Sequence, residues 1–388
     1  MLLLSDQKRI SNIFDEEYYK TVYELGFEYL AQLILRMLIG CGFGDESIPE
    51  FFSAKELIRI LHLSPKSRYP LDWILRYLAN SDYLYAEKRK NDYYFKKKKK
   101  NFIPNPEKLR KLILQTSKDM KSSCDFMEYV CKHYVEFLKG DLTGEELLFV
   151  KNKMICWNEY FNNSNKGYAV YNQLGSLGLR KWFPQERDEI SFLEIGVGTG
   201  SATVMLLQEL IAEKLTANIV RYIISDISPM FVRLAKKNIK ESILSDMPIE
   251  TMRVDLNQSL SEKSSMLNEI DVIYGVNSLH VAYDIMATTK EIFRILRPGG
   301  LLVISECIRE SKESVLIQEL ILNVLESYID VKIDDYYRTT PGFLTKAEWI
   351  RIFEKTGFED IECITNIDVD TKERHYPEHA LVIKGKKC

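Results

Sequence analysis

The chain has no CxxC pair, no internal repeat, no cluster of His, Cys and acidic residues at metal-ligand spacing, and no uninterrupted apolar run of membrane-spanning length. Each absence excludes something. The cysteines, at 41, 124, 131, 156, 307, 363 and 388, are scattered and odd in number, which suits reduced thiols in a cytoplasmic protein rather than a disulfide framework. Among the histidines (62, 133, 280, 375 and 379) only His375 and His379 are four apart, and Tyr376-Pro377 breaks any helix between them, so no metal is expected. The most apolar stretches, 27–44 and 315–331, are interrupted by Glu28, Arg36, Glu319 and Glu326 and fall short of the roughly 18 apolar residues of a membrane span. The first residues, Met1 to Asp6, lack the basic region of a secretory signal. An excess of one charge is lacking as well. With 53 Lys and Arg against 56 Asp and Glu the net charge is -3, so neither nucleic acid nor an anionic membrane is expected as the main partner.

What is present is an ordinary globular composition, 46% hydrophobic and 28% charged, over 388 residues, enough for two or three domains. Residues 16–40 predict a long helix, with Tyr19, Val22, Leu30, Leu33 and Met37 among apolar residues crowded enough to bury on two sides, as in a helix shared with a partner subunit. Ser53-Ala54-Lys55-Glu56 reads as a capping box, followed by a helix to Leu63, a break at Ser64-Pro65 and a helix over 69–80. Residues 83–96 read as two short strands around Asn91-Asp92. Three helices and a hairpin make a winged-helix pattern. Its hairpin is basic, so a regulator binding DNA there is a remote alternative, although Lys96 to Lys100 suit a solvated strand end better. From 107 to about 182 the pattern is helical again. From 191 onward apolar runs alternate with helices, the arrangement of a parallel sheet covered on both faces.

The chemistry is concentrated at the first of those runs. Ser191 to Thr203 reads Ser-Phe-Leu-Glu-Ile-Gly-Val-Gly-Thr-Gly-Ser-Ala-Thr, in which Gly196, Gly198 and Gly200 allow a tight turn close to a ligand at a helix N-terminus. The dinucleotide fingerprint would need its third glycine at 201, which is Ser. Glu194, just before the turn, would repel a pyrophosphate but suit an ammonium group. Asp226 ends the second apolar run, where an acid accepts both hydroxyls of a ribose, and Asp255 ends the third, within reach of an adenine amino group. A nucleoside with a cationic tail is the ligand these acids describe.

These residues, with Asp271-Val272-Ile273-Tyr274 and Leu296-Arg297-Pro298-Gly299-Gly300, resemble the seven-stranded S-adenosylmethionine-dependent methyltransferases over residues 185–388. The resemblance implies a Rossmann-like sheet and S-adenosylmethionine as cofactor. It places Gly196, Gly198 and Gly200 around the methionine part, Asp226 with Ile227 at the ribose, Asp255 with Leu256 at the adenine, and Asn277 beside them. His280, just past the strand 271–275, is a candidate general base, and Glu306, at the end of the next strand, could bond its far ring nitrogen unless it pairs with Arg309 instead.

Asn277-Ser-Leu-His-Val-Ala-Tyr-Asp284, the segment Gly140 to Phe149, and the set Leu325, Glu326, Tyr328, Arg338, Gly342 to Thr345 and Trp349 resemble the C-methyltransferase domains of polyketide synthases. That likeness implies a His280–Glu306 dyad, C-methylation of a carrier-bound β-ketoacyl thioester, and an acyl carrier protein as partner. The front end resembles the winged helix of dimeric small-molecule O-methyltransferases. It implies a homodimer through the N-terminal helices and keeps O-methylation of a phenol or enol as the alternative. The expected divisions are a winged-helix and dimerisation domain at 1–103, a helical linker and lid at 104–184, and the cofactor-binding domain at 185–388. Tyr171, Tyr283 and Tyr336 are candidates for the acceptor pocket.

Overall fold

A computed structural model describes residues 16–388 except 45, 91, 99–102, 150–153, 244–246, 261–266, 268–269 and 366–378. Asn91 of the expected turn, Lys99 and Lys100 of the lysine run, and His375, Tyr376 and Pro377 lie outside the described residues.

The expected helix 16–40 begins as a short turn at Glu16–Tyr19, widens to a π-helical segment at Lys20–Leu25, and continues as α1 (Gly26–Gly40). Its apolar residues do bury on two sides, with Tyr29, Leu30, Ile34 and Leu38 wholly enclosed. Both sides meet helices of the same protein: α3 (Arg68–Asn80), α4 (Pro106–Thr116) and α5 (Lys121–Lys139). Before α3 comes α2 (Ala54–Ile60), started by the Ser53/Glu56 capping box in both its hydrogen bonds. It stops short of Leu63 because His62 takes a left-handed backbone. After α3, β1 (Leu84–Arg89) and β2 (Asp92–Lys97) pair antiparallel, and Phe95 packs inward on Phe52.

Helices α6 (Gly144–Phe149), α7 (Met154–Tyr160) and α8 (Lys166–Lys181) lead into the sheet. Its strands are β3 (Ile190–Ile195), β4 (Ile219–Asp226), β5 (Ile249–Arg253), β6 (Ile270–Val276), β7 (Leu296–Cys307), β8 (Glu359–Thr365) and β9 (Ala380–Lys386), in the order β5-β4-β3-β6-β7-β9-β8. Only β9 runs against its neighbours. The central strands are near-continuous apolar runs because both faces are buried, and successive side chains divide between the two. Phe192, Tyr222, Tyr274 and Val303 face α8, α9 (Ser201–Ala212) and α10 (Pro229–Ser242). Leu193, Ile223, Ile273 and Leu302 face α11 (Ile285–Ile295) and the later α14 (Lys346–Thr356). Between β7 and α14 two short helices, α12 (Glu319–Leu322) and α13 (Glu326–Ile329), form an insertion that packs back onto the N-terminal helices. The first of these cores runs unbroken from Tyr18 to Val382.

Candidate active site

The strand order turns back between β3 and β6, and open α/β sheets hold ligands outside the carboxyl ends of the strands at such a reversal. A cavity of about 660 Å³ opens there, a size suited to a cofactor and a small acceptor together. The turn after β3 carries Gly196, Gly198 and Gly200 at φ of 67°, 52° and 81°, a left-handed run that side chains resist. At Gly198 a Cβ would meet nothing of the protein within 4 Å, so the turn leaves an open cradle on the cavity side. Gly200 does not line the cavity. A Cβ there would press on the backbone of Ala235 in α10 at 3.0 Å, so its place is a packing one.

Asp226 reaches the cavity at the end of β4, its carboxylate accepting the N–H of Gly198 at 3.1 Å and of Ser228 at 2.9 Å. Burial pushes this carboxyl above its ordinary range, while the backbone donors pull the other way. Ile227, Asp255, Leu256 and Asn277 line the same cavity. Asn257, which sequence reasoning passed over, joins them. An open glycine cradle and two acids spaced along one wall fit a nucleoside carrying an amino-acid tail.

Glu194 is not among the lining residues. Its carboxylate accepts the hydroxyls of Tyr222 at 2.6 Å and Thr203 at 2.9 Å inside the core, which pins β3 to β4 and α9. Burial raises its pKa to about 7, with the two hydroxyls opposing that rise. The strand pleat explains the difference from expectation: Glu194 faces the core beside Tyr274, away from any ammonium group in the cavity.

His280 sits on a single 3-10 turn after β6, buried and lining the cavity. Its Nδ1 lies 2.7 Å from Oε2 of Glu306, and Oε1 of Glu306 accepts the N–H of Ser278 at 3.1 Å and of Leu279 at 2.9 Å. The expected competitor for Glu306, Arg309, pairs with Glu319 instead. Nε2 of His280 is therefore the ring nitrogen left to the cavity. Phe343 and Tyr328 flank the imidazole with ring centres at 4.6 and 5.7 Å. The buried guanidinium of Arg338 donates to the carbonyls of His280, of Ala282 at 2.6 Å and of Gly342 at 3.2 Å, holding the turn from behind. Before it, Asn277 takes a left-handed φ of 48° and accepts the N–H of Cys307 at 2.6 Å, tying β6 to the end of β7.

Of the tyrosine candidates, Tyr171 lines the cavity. Tyr283 and Tyr336 are 49% and 59% exposed and do not line it. The aromatic wall comes from residues that spacing alone does not single out, Trp157, Tyr160, Phe161 and Phe231. Trp157, Tyr160 and Phe161 lie on and just after α7 and Phe231 lies on α10, and the fold brings the two helices together. Among the described residues no group of His, Cys, Asp and Glu is placed to hold a metal, and no helix is long and apolar enough to cross a membrane.

The glycine turn and its acids lie within the stretch 193–302, which matches the sequence family described as a methyltransferase domain. Residues 193–302 are a methyltransferase domain. The fold is that of the S-adenosylmethionine-dependent methyltransferases, and S-adenosylmethionine is the cofactor of that fold. The crystal structure of the CurJ carbon methyltransferase superposes with a TM-score of 0.76 at 20% identity, covering 99% of this protein and 96% of that one. The trans-methyltransferase CalH in complex with SAH superposes at 0.62 and 15% identity, covering 95% and 90%. Among curated proteins, the reducing polyketide synthase Preu2 of Preussia isomera is 31% identical over 187 residues, 48% of the sequence described here. The match spans only 7% of the length of Preu2.

Proposed function

We propose that this protein methylates the activated α-carbon of a polyketide-like β-ketoacyl thioester presented by an acyl carrier protein, with His280 as the base and Glu306 as its orienting partner. The observation that carries this reading is the buried His280–Glu306 pair, 2.7 Å apart, with the second imidazole nitrogen directed to the cofactor cavity. Carbon between two carbonyls holds a proton that an imidazole removes, whereas many oxygen acceptors need only positioning. Nε2 takes that proton, and the C–H electron pair spreads onto the flanking oxygens. Glu306 keeps Nδ1 protonated beforehand and faces the imidazolium afterwards. When bound, S-adenosylmethionine supplies a methyl group made electrophilic by its sulfonium. The polyketide synthase relatives support a carrier-bound acceptor.

The N-terminal unit fits a role in substrate contact better than one in DNA binding. Lys88, Arg89, Lys96 and Lys98 of its hairpin are each paired with an acid of the same protein, Glu313, Glu87, Glu50 and Asp82 respectively. Those four pairings reduce the positive charge that the hairpin can offer to phosphates.

His280→Ala is expected to bind S-adenosylmethionine as the parent protein does and to lose methyl transfer by about 10²- to 10⁴-fold. Unchanged turnover would remove the base role. Exchange of the α-proton of a β-ketoacyl thioester with solvent deuterium, in the absence of methyl donor, reports the carbon-acid step. Methylation of phenols or enols without that exchange would establish the oxygen alternative.

A further inference from the structure

The acceptor side of the cavity contains one hydroxyl in an unfavourable partnership. Tyr171, wholly buried on α8, accepts the side-chain amide of Gln318 at 3.2 Å and donates its own O–H to the sulfur of Cys307 at 3.4 Å. All three residues line the cavity. A thiol is a weak acceptor, and burial pushes the Cys307 thiol well above its usual range, so the sulfur is uncharged. Burial likewise keeps the phenol neutral. A buried hydroxyl held on so poor an acceptor gains when a better oxygen arrives.

The rest of the fold fixes this hydroxyl in place. The carbonyl of Tyr171 accepts the hydroxyl of Ser305 at 2.8 Å, which pins α8 to β7. Gln318 immediately precedes Glu319, whose carboxylate is held inside the molecule by Arg309, by the indole N–H of Trp73 at 2.9 Å and by Tyr328 at 3.1 Å. The lining residues that follow it in the insertion are Ile321, Leu322 and Leu325, with Ser327 beyond them. Tyr171 and Gln318 thus form a fixed polar pair in a wall that also carries the hydroxyls of Tyr160, Tyr168 and Ser327.

Resting on the function proposed above, we infer that Tyr171, with Gln318, is the specificity-determining contact for an oxygen on the acyl portion of the acceptor, beyond the carbon that is methylated. The substrate class is then an oxygenated β-ketoacyl thioester, with a carbonyl or hydroxyl further along the acyl group, rather than one whose remainder is hydrocarbon. On binding, the O–H of Tyr171 leaves the Cys307 sulfur and donates to that oxygen. No covalent bond changes. Sites built to hydrogen-bond a substrate group discriminate strongly against analogues that lack it.

The test compares two β-ketoacyl N-acetylcysteamine thioesters of equal acyl length, one bearing a distal hydroxyl or ketone and the other not. The full-length protein is expected to favour the oxygenated acceptor by about 10- to 10²-fold in kcat/KM, carried by KM. Tyr171→Phe, which deletes only the hydroxyl, brings that ratio close to 1 while leaving S-adenosylhomocysteine affinity in place as a check on folding. Cys307→Ser gives the hydroxyl a stronger internal acceptor and reduces the preference from the other side. Methylation of both acceptors at one rate, or a preference that survives Tyr171→Phe, overturns this inference but not the proposed function. Methylation of neither, with proton exchange also absent, overturns both.

Discussion

Two buried glutamates of the sheet have opposite surroundings. Glu306 accepts two backbone N–H groups and faces the ring of His280, which lines the cavity. Glu194 accepts from two hydroxyls among the described residues and sits wholly in the core. Burial dominates for Glu194 and raises its pKa from 4.5 to about 7. The folded state therefore binds this proton more tightly than the unfolded one. Its contribution to stability is complete below about pH 4.5 and is lost as pH rises through 7. A shift of this size corresponds to about 3 kcal/mol. Glu194→Gln removes the titration and is expected to flatten the stability profile between pH 4.5 and 7.5, gaining on the parent protein toward the alkaline end. Urea denaturation across that range measures it, and parallel profiles for the two proteins would refute the assignment. At this scale the sequence makes residue types and strand-end positions readable, as at Asp226, His280 and Glu306. It does not show which way Glu194 points, because one step along a strand reverses the face, nor that Arg309 chooses Glu319 and leaves Glu306 to the histidine.

Among the elements, α8 carries Tyr168 and Tyr171 of the cavity wall and rests directly on the sheet. That close approach depends on Gly175. A Cβ there would lie 2.6 Å from the Tyr274 hydroxyl and 2.9 Å from Cβ of Ser305, so a larger residue must lift the helix off β6 and β7. Gly175→Val is expected to cost roughly 2 to 4 kcal/mol, from overpacking together with the β-branched residue's poorer helix propensity. It should also weaken acceptor binding more than cofactor binding, because the glycine turn stands on β3 and not on α8. Calorimetry for stability and titration with S-adenosylhomocysteine separate the two effects. The helical pattern over 107–182 includes this helix, yet its glycine spacing gives no warning of how closely it meets the sheet. Local pattern does reveal the capping box at Ser53 and the hairpin at 83–96. Strand β8 escapes it for a physical reason: it is an edge strand, half-exposed, and lacks the apolar run that marks the central ones.

At the scale of the whole molecule, the N-terminal helices and the sheet share one core, and a buried polar network joins them near the base. Glu319 of the insertion accepts from Trp73 in α3, from Tyr328 and from Arg309 at the end of β7. Tyr328 in turn stands edge-on to His280. The continuous core from Tyr18 to Val382 packs the N-terminal helices against the sheet through partners that lie far apart in sequence, which no local motif could reveal. Removing the acid tests how much of the site rests on this junction. Glu319→Ala leaves the guanidinium of Arg309 buried without its counter-charge, a change that costs about 3 to 5 kcal/mol where a buried pair is broken. Trp73→Phe withdraws one hydrogen bond and leaves the charges paired, at about 1 to 2 kcal/mol. If the junction holds the acceptor chamber in shape, Trp73→Phe, though distant in sequence from the methyltransferase motifs, should raise KM for the acceptor while leaving cofactor affinity unchanged. Equal KM values for acceptor in the variant and the parent protein would confine Trp73 to a purely structural role.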